Sequence, residues 1–125
     1  MTRGAAEANF TKAIIQFEKE HLGRGPVDAR TTFMGDMVLV RMQGLMTPAE
    51  HKLANNREGR DLVKEMRRQL FESSRSLLEE IVTQVVGCTM VSLHTDMSTK
   101  TGERIVILVV DEDLDKKFPP SNRRR

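Results

Sequence analysis

Residues 27–44 read VDARTTFMGDMVLVRMQG, and this stretch decides the architecture of the chain. Its first part alternates between two sets of side chains, which is the pattern of a β-strand. Gly35 and Asp36 then supply a tight turn, because glycine tolerates the backbone angles that primed turns require. Residues 37–40 are apolar without interruption. We therefore predict a β-hairpin whose second strand is covered on both faces, by a helix and by a second subunit.

Helical patterns lie on both sides of this hairpin. Apolar residues at spacings of three and four predict a first helix over residues 6–22, ended by Gly23. The sequence TPAE at residues 47–50 predicts a helix start with a threonine cap and a glutamate that closes a capping box. A long helix is predicted over residues 57–86, ended by Gly87. Its core-facing stripe is predicted to comprise Leu62, Met66, Leu70, Ser73, Leu77, Ile81 and Val85, thickened by Val63, Phe71, Leu78 and Val82.

A second hairpin follows the long helix. Residues 88–95 alternate in polarity and residues 104–110 are apolar at their centre, so both are predicted strands, joined by a loop over residues 96–103. The chain is therefore predicted to adopt an α+β fold in the order helix, hairpin, helix, hairpin (αββαββ). Its four-stranded antiparallel sheet should carry helices mainly on one face. We predict one domain over residues 1–111 and a mobile charged tail over residues 112–125.

Composition and charge exclude several classes of protein. The 125 residues include 20 basic and 18 acidic side chains, a net charge of only +2, and the signs alternate along much of the chain. This distribution is typical of a solvated surface, so no nucleic-acid partner is expected. Cys88 is the only cysteine, which excludes an internal disulfide and a zinc site built from several cysteines. No apolar stretch is long enough to span a bilayer and no signal peptide is recognisable, so we predict a cytoplasmic protein without direct membrane insertion.

The polar residues that could carry chemistry are concentrated in the second hairpin. His94 and Asp96 share one face of a predicted strand, and the next strand brings Glu103 or Arg104 near them. A hydrogen-bonded anchor for the loop explains this group, so we predict no enzyme activity, no catalytic residue, no metal site and no cofactor. Arg24, in the sequence GRGP, could bind an anion through its guanidinium, although a capping turn after the first helix is the other interpretation.

Five segments carry a resemblance to a known family. They are LGRGP at residues 22–26, MTPAE at 46–50, GRDLVKEMRR at 59–68, VVGC at 85–88 and TDMSTKTGER at 95–104. Together, and in this order, they resemble the MpsC-like (YbcI-type) domain, and the resemblance covers nearly everything but the two ends of the chain. Several motifs that coincide in order make the resemblance specific.

The family takes its name from a proposed cation-translocating, membrane potential-generating system. Some members are encoded beside a proton-channel subunit similar to those of respiratory complex I and beside a large soluble protein, a pair linked to bicarbonate uptake. The resemblance implies no catalytic residues. It marks a surface for a ligand or a partner, composed of Arg24, His94, Asp96, Lys100, Glu103 and Arg104.

Our first functional hypothesis is a non-enzymatic accessory or regulatory protein, homodimeric, that acts from the cytosol on a membrane ion or inorganic-carbon transport system through protein–protein contacts. It would reach the membrane only through a partner, and transporter subunits are the expected partners. The alternative is a sensor of a small ligand or anion that uses Arg24 and the loop at residues 94–104. A nucleic-acid-binding module is the third interpretation, and an enzyme is the last.

Overall fold

The computed structural model of the chain describes residues 1–120. Its helices are α1 (Arg3–Phe17), α2 (Pro48–Leu53), α3 (Arg57–Ser73), α4 (Arg75–Ile81) and α5 (Leu114–Lys117). Its strands are β1 (Asp28–Met34), β2 (Met37–Gln43), β3 (Met90–Met97) and β4 (Arg104–Val110). A short π-helical segment continues α1 over Glu18–Leu22, and another continues α4 over Val82–Val86. Helices combined with a four-stranded antiparallel sheet confirm the predicted α+β class.

The sheet joins two hairpins through their most apolar strands. Its order is β1-β2-β4-β3, and all neighbours are antiparallel. In the first hairpin Met34 pairs with Met37, so Gly35 and Asp36 form the predicted two-residue turn. β2 and β4 lie side by side in the centre of the sheet, where Val40 pairs with Val106. Their central position suits their apolar composition, since neither strand forms an edge of the sheet.

The core lies on one face of the sheet. Every second residue of β2 and β4 points into it, where these residues pack with buried side chains of α1, α4 and the two π-helical segments. The core residues from these two strands are Val38, Val40, Met42, Val106, Leu108 and Val110. The apolar residues between them are half-buried and belong to no core cluster. The described chain therefore covers one face of β2, and the cover of its other face by a second subunit stays a prediction.

Helix α3 presents a different face to the core than the sequence predicted. Its buried positions are Gly59, Val63, Arg67 and Phe71. Leu62 and Met66 of the predicted stripe are instead 59% and 43% exposed. Val63 and Phe71 are buried as predicted and Leu70 packs against the core. The prediction failed at Leu62 and Met66 because the other two buried positions are a glycine and an arginine, which a hydrophobic pattern assigns to the surface. Gly59 is required by close packing, since a Cβ at this position would lie 1.6 Å from the Leu53 carbonyl oxygen. The predicted long helix is also interrupted at Ser74.

The predicted helix ends are confirmed. The Thr47 hydroxyl accepts a hydrogen bond from the backbone N–H of Glu50 at 3.2 Å, and the Glu50 carboxylate accepts one from the N–H of Thr47 at 2.9 Å. These two bonds complete the capping box. Gly23 and Gly87 follow the two π-helical segments with φ of 122° and 77°, backbone angles that other residues rarely adopt. The chain thus leaves the helical layer at a glycine before each hairpin.

The C-terminal segment packs further than predicted. Leu114 is fully buried and Phe118 is 7% exposed, and the ring centroids of Phe118 and Phe33 are 5.4 Å apart. Arg3 of α1 donates a hydrogen bond to the Phe118 carbonyl at 2.8 Å. The packed domain therefore continues past the predicted boundary at residue 111, because an apolar pair one helical turn apart closes the end of the core. The rest of the predicted mobile tail, from Ser121 onward, lies outside the described residues.

Candidate functional site

The six predicted surface residues do not form one cluster. Arg24 is exposed in the loop after Gly23, and Lys100 is exposed in the loop that joins β3 to β4. His94 lies on the outer face of β3, where its Nε2 is 3.2 Å from the Ser92 hydroxyl oxygen. No hydrogen bond or ion pair between described residues joins Arg24, Lys100 and His94 to one another.

Asp96 and Glu103 have separate partners. Asp96 Oδ1 lies 3.2 Å from Lys64 Nζ. Although burial acts to raise it, the hydrogen bond from Lys64 holds the pKa of Asp96 below its usual value. Glu103 pairs with Arg41 of β2. The polar group predicted around His94 is therefore divided among three separate contacts, and residues 1–120 contain no cluster of three or more His, Cys, Asp or Glu side chains that could hold a metal ion.

Arg104, by contrast, is only 2% exposed although it begins the last strand. Its guanidinium carbon lies 4.5 Å from the ring centroid of Phe71, and Nη1 donates a hydrogen bond to the Thr95 hydroxyl at 2.9 Å. Nε has no hydrogen-bond partner among the described residues. Burial lowers the pKa of the guanidinium, and the charge of Glu18 opposes that shift. Because buried donors without partners are uncommon, Arg104 stands out among the six predicted residues.

Glu18 is a second buried charged residue that lacks a hydrogen-bond partner. It is the first residue of the π-helical segment after α1, and it is fully buried. Neither carboxylate oxygen accepts a hydrogen bond from a described residue. Burial raises the pKa of Glu18 to about 7, while the charges of Arg104 and Arg67 act to lower it. Glu18 therefore titrates near neutral pH, and π-helical segments often accompany functional positions.

Arg67 is the third buried charged residue, and it is well bonded. Its Nε and Nη2 donate to the two carboxylate oxygens of Glu50 at 2.8 and 2.6 Å, which makes a bidentate pair. Nη2 also donates to the Leu45 carbonyl at 2.9 Å. Burial acts to raise the pKa of Glu50, but hydrogen bonds from Arg67 and Thr47 hold it below its usual value. The pair connects the start of α2, the segment after β2 and the middle of α3.

A cavity of about 380 Å³ lies between α3 and the β3–β4 hairpin. It brings together Asp96 and Arg104, two of the six predicted residues. Helix α3 contributes Asp61, Lys64, Glu65, Arg67 and Arg68 to its wall. The sequence analysis missed the α3 side of this cavity because charged residues are frequent along the whole helix. The signal that could have found Arg67 is its spacing of four from Val63 and Phe71, which places it on their buried face.

The opposite face of the sheet lies outside the hydrophobic core of residues 1–120. We call it the open sheet face. Its side chains form three rows across β1, β2, β4 and β3: Met34–Met37–Val109–Ser92, Thr32–Leu39–Ile107–His94 and Arg30–Arg41–Ile105–Asp96. The centre of this face is aliphatic. Its β1 edge carries a cation at Arg30, and its β3 edge carries a carboxylate at Asp96.

The chain matches a protein family along most of its length. Residues 2–112 match the family described as "Na+-translocating membrane potential-generating system (MpsC)". The chain belongs to the MpsC family. It is similar to the uncharacterized protein YbcI of Bacillus subtilis (strain 168), with 37% identity over 117 residues that cover 94% of each chain. It is also similar to the uncharacterized protein YrhF of the same organism, with 26% identity over 109 residues, 86% of this chain and 89% of the relative. No solved structure matches the chain.

The family match confirms the resemblance that the sequence motifs indicated. It extends over both the cavity and the open sheet face, since each lies within residues 2–112. The family description refers to a membrane system, yet none of the helices within residues 1–120 of this MpsC family member is both long and apolar enough to cross a bilayer.

Proposed function

We propose that this MpsC family member is a non-enzymatic accessory or regulatory protein of a membrane potential-generating system, and that it acts from the cytosol as a homodimer. Family membership supports the link to such a system. The observation that carries the proposal is the open sheet face, which supports contact with another polypeptide. The proposed further partners are subunits of an ion or inorganic-carbon transporter, through which the homodimer reaches the membrane.

The centre of the open sheet face has the composition of a protein interface. The aliphatic side chains that adjoin one another across β2 and β4 are Met37, Leu39, Ile105, Ile107 and Val109. Met34, beside them on β1, is 50% exposed. A contiguous apolar patch with a polar rim is typical of a docking surface. Burial of its remaining apolar area would favour association, against the loss of freedom that binding costs.

We assign this surface to a second copy of the chain because its two edges are complementary in charge. Two sheets that pack face to face about a twofold axis parallel to their strands place β1 opposite the partner's β3. The three rows then stay in register, so that Arg30 lies opposite the partner's Asp96 and Leu39 lies opposite the partner's Ile107. Arg30 forms no ion pair with the described residues of its own chain, whereas Asp96 is paired with Lys64 of α3 and would exchange that partner for Arg30 on association.

A twofold axis across the strands is less favourable. It would stack each strand on its own copy and reverse the order of the rows, so that Arg30 would face the partner's Met34. Arg30 would then lose hydration without gaining a carboxylate. Arg41 does not distinguish the two axes, because it faces an apolar residue in either arrangement and keeps its own partner Glu103. The axis parallel to the strands is therefore the arrangement that we propose.

Light scattering coupled to size-exclusion chromatography tests the homodimer. We expect the wild type to show twice the 14.2 kDa mass of one chain. Ile107→Lys places a charge in the centre of the proposed interface and should give a folded monomer. Leu62→Lys is the matched control, because Leu62 is equally apolar and is 59% exposed on α3, in the helical layer. This control should remain dimeric, and a wild type that is monomeric at micromolar concentration would contradict the proposal.

A charge exchange tests the proposed axis. Arg30→Asp and Asp96→Arg should each weaken the homodimer, because each places like charges opposite one another across the interface. The double variant should recover much of the lost affinity, since it restores an opposite-charge pair in the reverse sense. If the double variant instead loses as much affinity as the two single variants together, the axis parallel to the strands is excluded.

Affinity capture from native membranes tests the link to transport. Tagged wild type should retain transporter subunits, identified by mass spectrometry, while Arg24→Gln serves as a surface variant outside the open sheet face. If the wild-type sample contains no transporter subunits, the accessory role is contradicted. The homodimer is tested separately, by light scattering.

A further inference from the structure

The cavity between α3 and the β3–β4 hairpin contains one cation that lacks an anionic partner. Three of its basic residues are already paired: Arg67 with Glu50, Arg68 with Glu65 and Lys64 with Asp96. Arg104 forms no ion pair with any of residues 1–120. Its positive charge is therefore the one on the cavity wall that no ion pair within the described chain engages, although the charges of Glu18 and Asp96 act on it from a distance.

Arg104 is also held in place before any ligand arrives. The Phe71 ring lies against its guanidinium and the Thr95 hydroxyl accepts from Nη1. The residue is 2% exposed and its Nε donor has no partner among the described residues. A buried donor without a partner is costly, and an acceptor that reaches Nε through a small shift of the Arg104 side chain would relieve that cost. A guanidinium that is already ordered loses little conformational freedom on binding.

We propose that this cavity binds a small, singly charged oxyanion, a carboxylate or an inorganic oxyanion, on Arg104. The planar guanidinium suits such groups because it donates to two oxygens at once. Lys64, whose partner Asp96 is largely solvent-exposed, stands at the rim and can assist.

The cavity wall also limits the charge and size of the ligand. It carries four basic and three acidic side chains, and outside the ion pairs among the described residues only Arg104 and Asp61 remain, so a polyanion such as a nucleoside triphosphate would find one cation and one repelling carboxylate. A volume of about 380 Å³ is near the lower end of ligand pockets. Arg24, which the sequence analysis proposed as an anion ligand, does not line the cavity.

A thermal-shift titration at constant ionic strength tests this site. Sodium acetate, bicarbonate and phosphate are compared with sodium chloride and with ATP. At least one of the three oxyanions should raise the unfolding midpoint by several degrees, because a ligand that binds only the folded state stabilises it. ATP should be weaker at equal concentration. Arg104→Lys should lose most of the shift, since a lysine cannot donate to two oxygens in the same geometry. Arg24→Gln, the matched control, should keep it.

A nuclear magnetic resonance titration of the wild type provides a second readout that does not depend on how well the Arg104 variant folds. Binding in the cavity should shift the backbone amide signals of Thr95, Met97 and Arg104 with one common dissociation constant. Equal stabilisation by chloride, a shift retained in a folded Arg104→Lys, or amide changes centred on Arg24 would overturn the proposal. So would the absence of any midpoint or amide change with all three oxyanions.

Discussion

The covered face of the sheet and its open face differ in what they bury. The covered face encloses two carboxylates and two guanidinium groups beside the aliphatic core: Glu18, Glu50, Arg67 and Arg104. The open face presents aliphatic rows that the chain itself leaves half-buried. Most domains bury the aliphatic side chains and expose the charged ones. The contrast indicates that the stability of the monomer depends partly on how its buried charges are paired, while part of its hydrophobic surface stays half-buried on the open sheet face.

Removal of Arg67 should produce the largest effect on the covered face. Arg67→Ala leaves Glu50 buried without its cation, and we expect a loss of about 4 kcal/mol in the free energy of unfolding. Arg68→Ala is the matched control, because Arg68 is exposed in its pair with Glu65 and should leave stability nearly unchanged. Urea denaturation measures both. If the two variants behave alike, buried charges do not stabilise the covered face.

Neighbouring residues on β4 allow a direct comparison of the two faces. Leu108 is fully buried in the core, whereas Ile107, the preceding residue, belongs to the open sheet face. Leu108→Ala should lower the free energy of unfolding by about 3 kcal/mol. Ile107→Ala should lower the free energy of unfolding by under about 1 kcal/mol at concentrations where the protein is monomeric. The reason is that few protein atoms surround the Ile107 side chain in the single chain. Equal losses would mean that the open face is as well packed as the core.

Glu18 should make the stability of the covered face depend on pH. Its pKa is about 7 in the folded chain against an ordinary value of 4.5, so the folded state binds the proton more tightly. The stabilising contribution is fully present below pH 4.5 and is lost as pH rises through 7. Glu18→Gln should therefore be more stable than the wild type by about 3 kcal/mol at pH 8, and similar to it at pH 4.5.

Denaturation at the two pH values tests this expectation. Glu80→Gln serves as control because Glu80 is exposed on α4. Its free energy of unfolding should differ from that of the wild type by the same amount at both pH values. A Glu18→Gln variant that is less stable than the wild type at pH 8 would show instead that the ionised carboxylate stabilises Arg104 or Arg67 more than burial penalises it.

The features that the sequence predicted correctly are local ones. The Gly35–Asp36 turn and the Thr47–Glu50 capping box each depend on residues within a few positions of one another, so their physical causes are visible in a short window. Burial of Arg67 depends on Glu50, a residue 17 positions earlier that a packed loop brings beside it. A pattern that assigns exposure by residue type cannot find such a pair, and for that reason the sequence analysis placed Leu62 and Met66, but not Arg67, on the buried side of α3.

The candidate site shows the same limit. Strand alternation correctly placed His94 and Asp96 on one face, but it could not show that Glu103 turns to Arg41 of another hairpin. Arg104 was selected among the six residues from a motif, whereas its burial arises from contacts with Phe71. The apolar pair in the C-terminal segment was overlooked because its neighbours are charged or proline.

The smallest expected effect is the electrostatic influence of Glu18, on the covered face, on the affinity of the proposed anion site. Glu18 interacts electrostatically with Arg104 from β4 and with Arg67 from α3, and Arg67 is already neutralised by Glu50. When Glu18 is ionised, its negative charge offsets part of the positive charge that Arg104 offers to a ligand. Protonation removes that offset, so anion affinity should rise by about fivefold from pH 8 to pH 6.

By linkage, anion binding should also draw a proton onto Glu18, because each event favours the other by the same free energy. Acetate is a suitable probe, since its charge is constant over this range, and calorimetric titration in buffers of different ionisation enthalpy reports the proton uptake. Glu18→Gln should bind acetate with the higher affinity at both pH values and take up no proton. A pH dependence that persists in Glu18→Gln would assign the coupling to another group and would separate the buried carboxylate from the anion site.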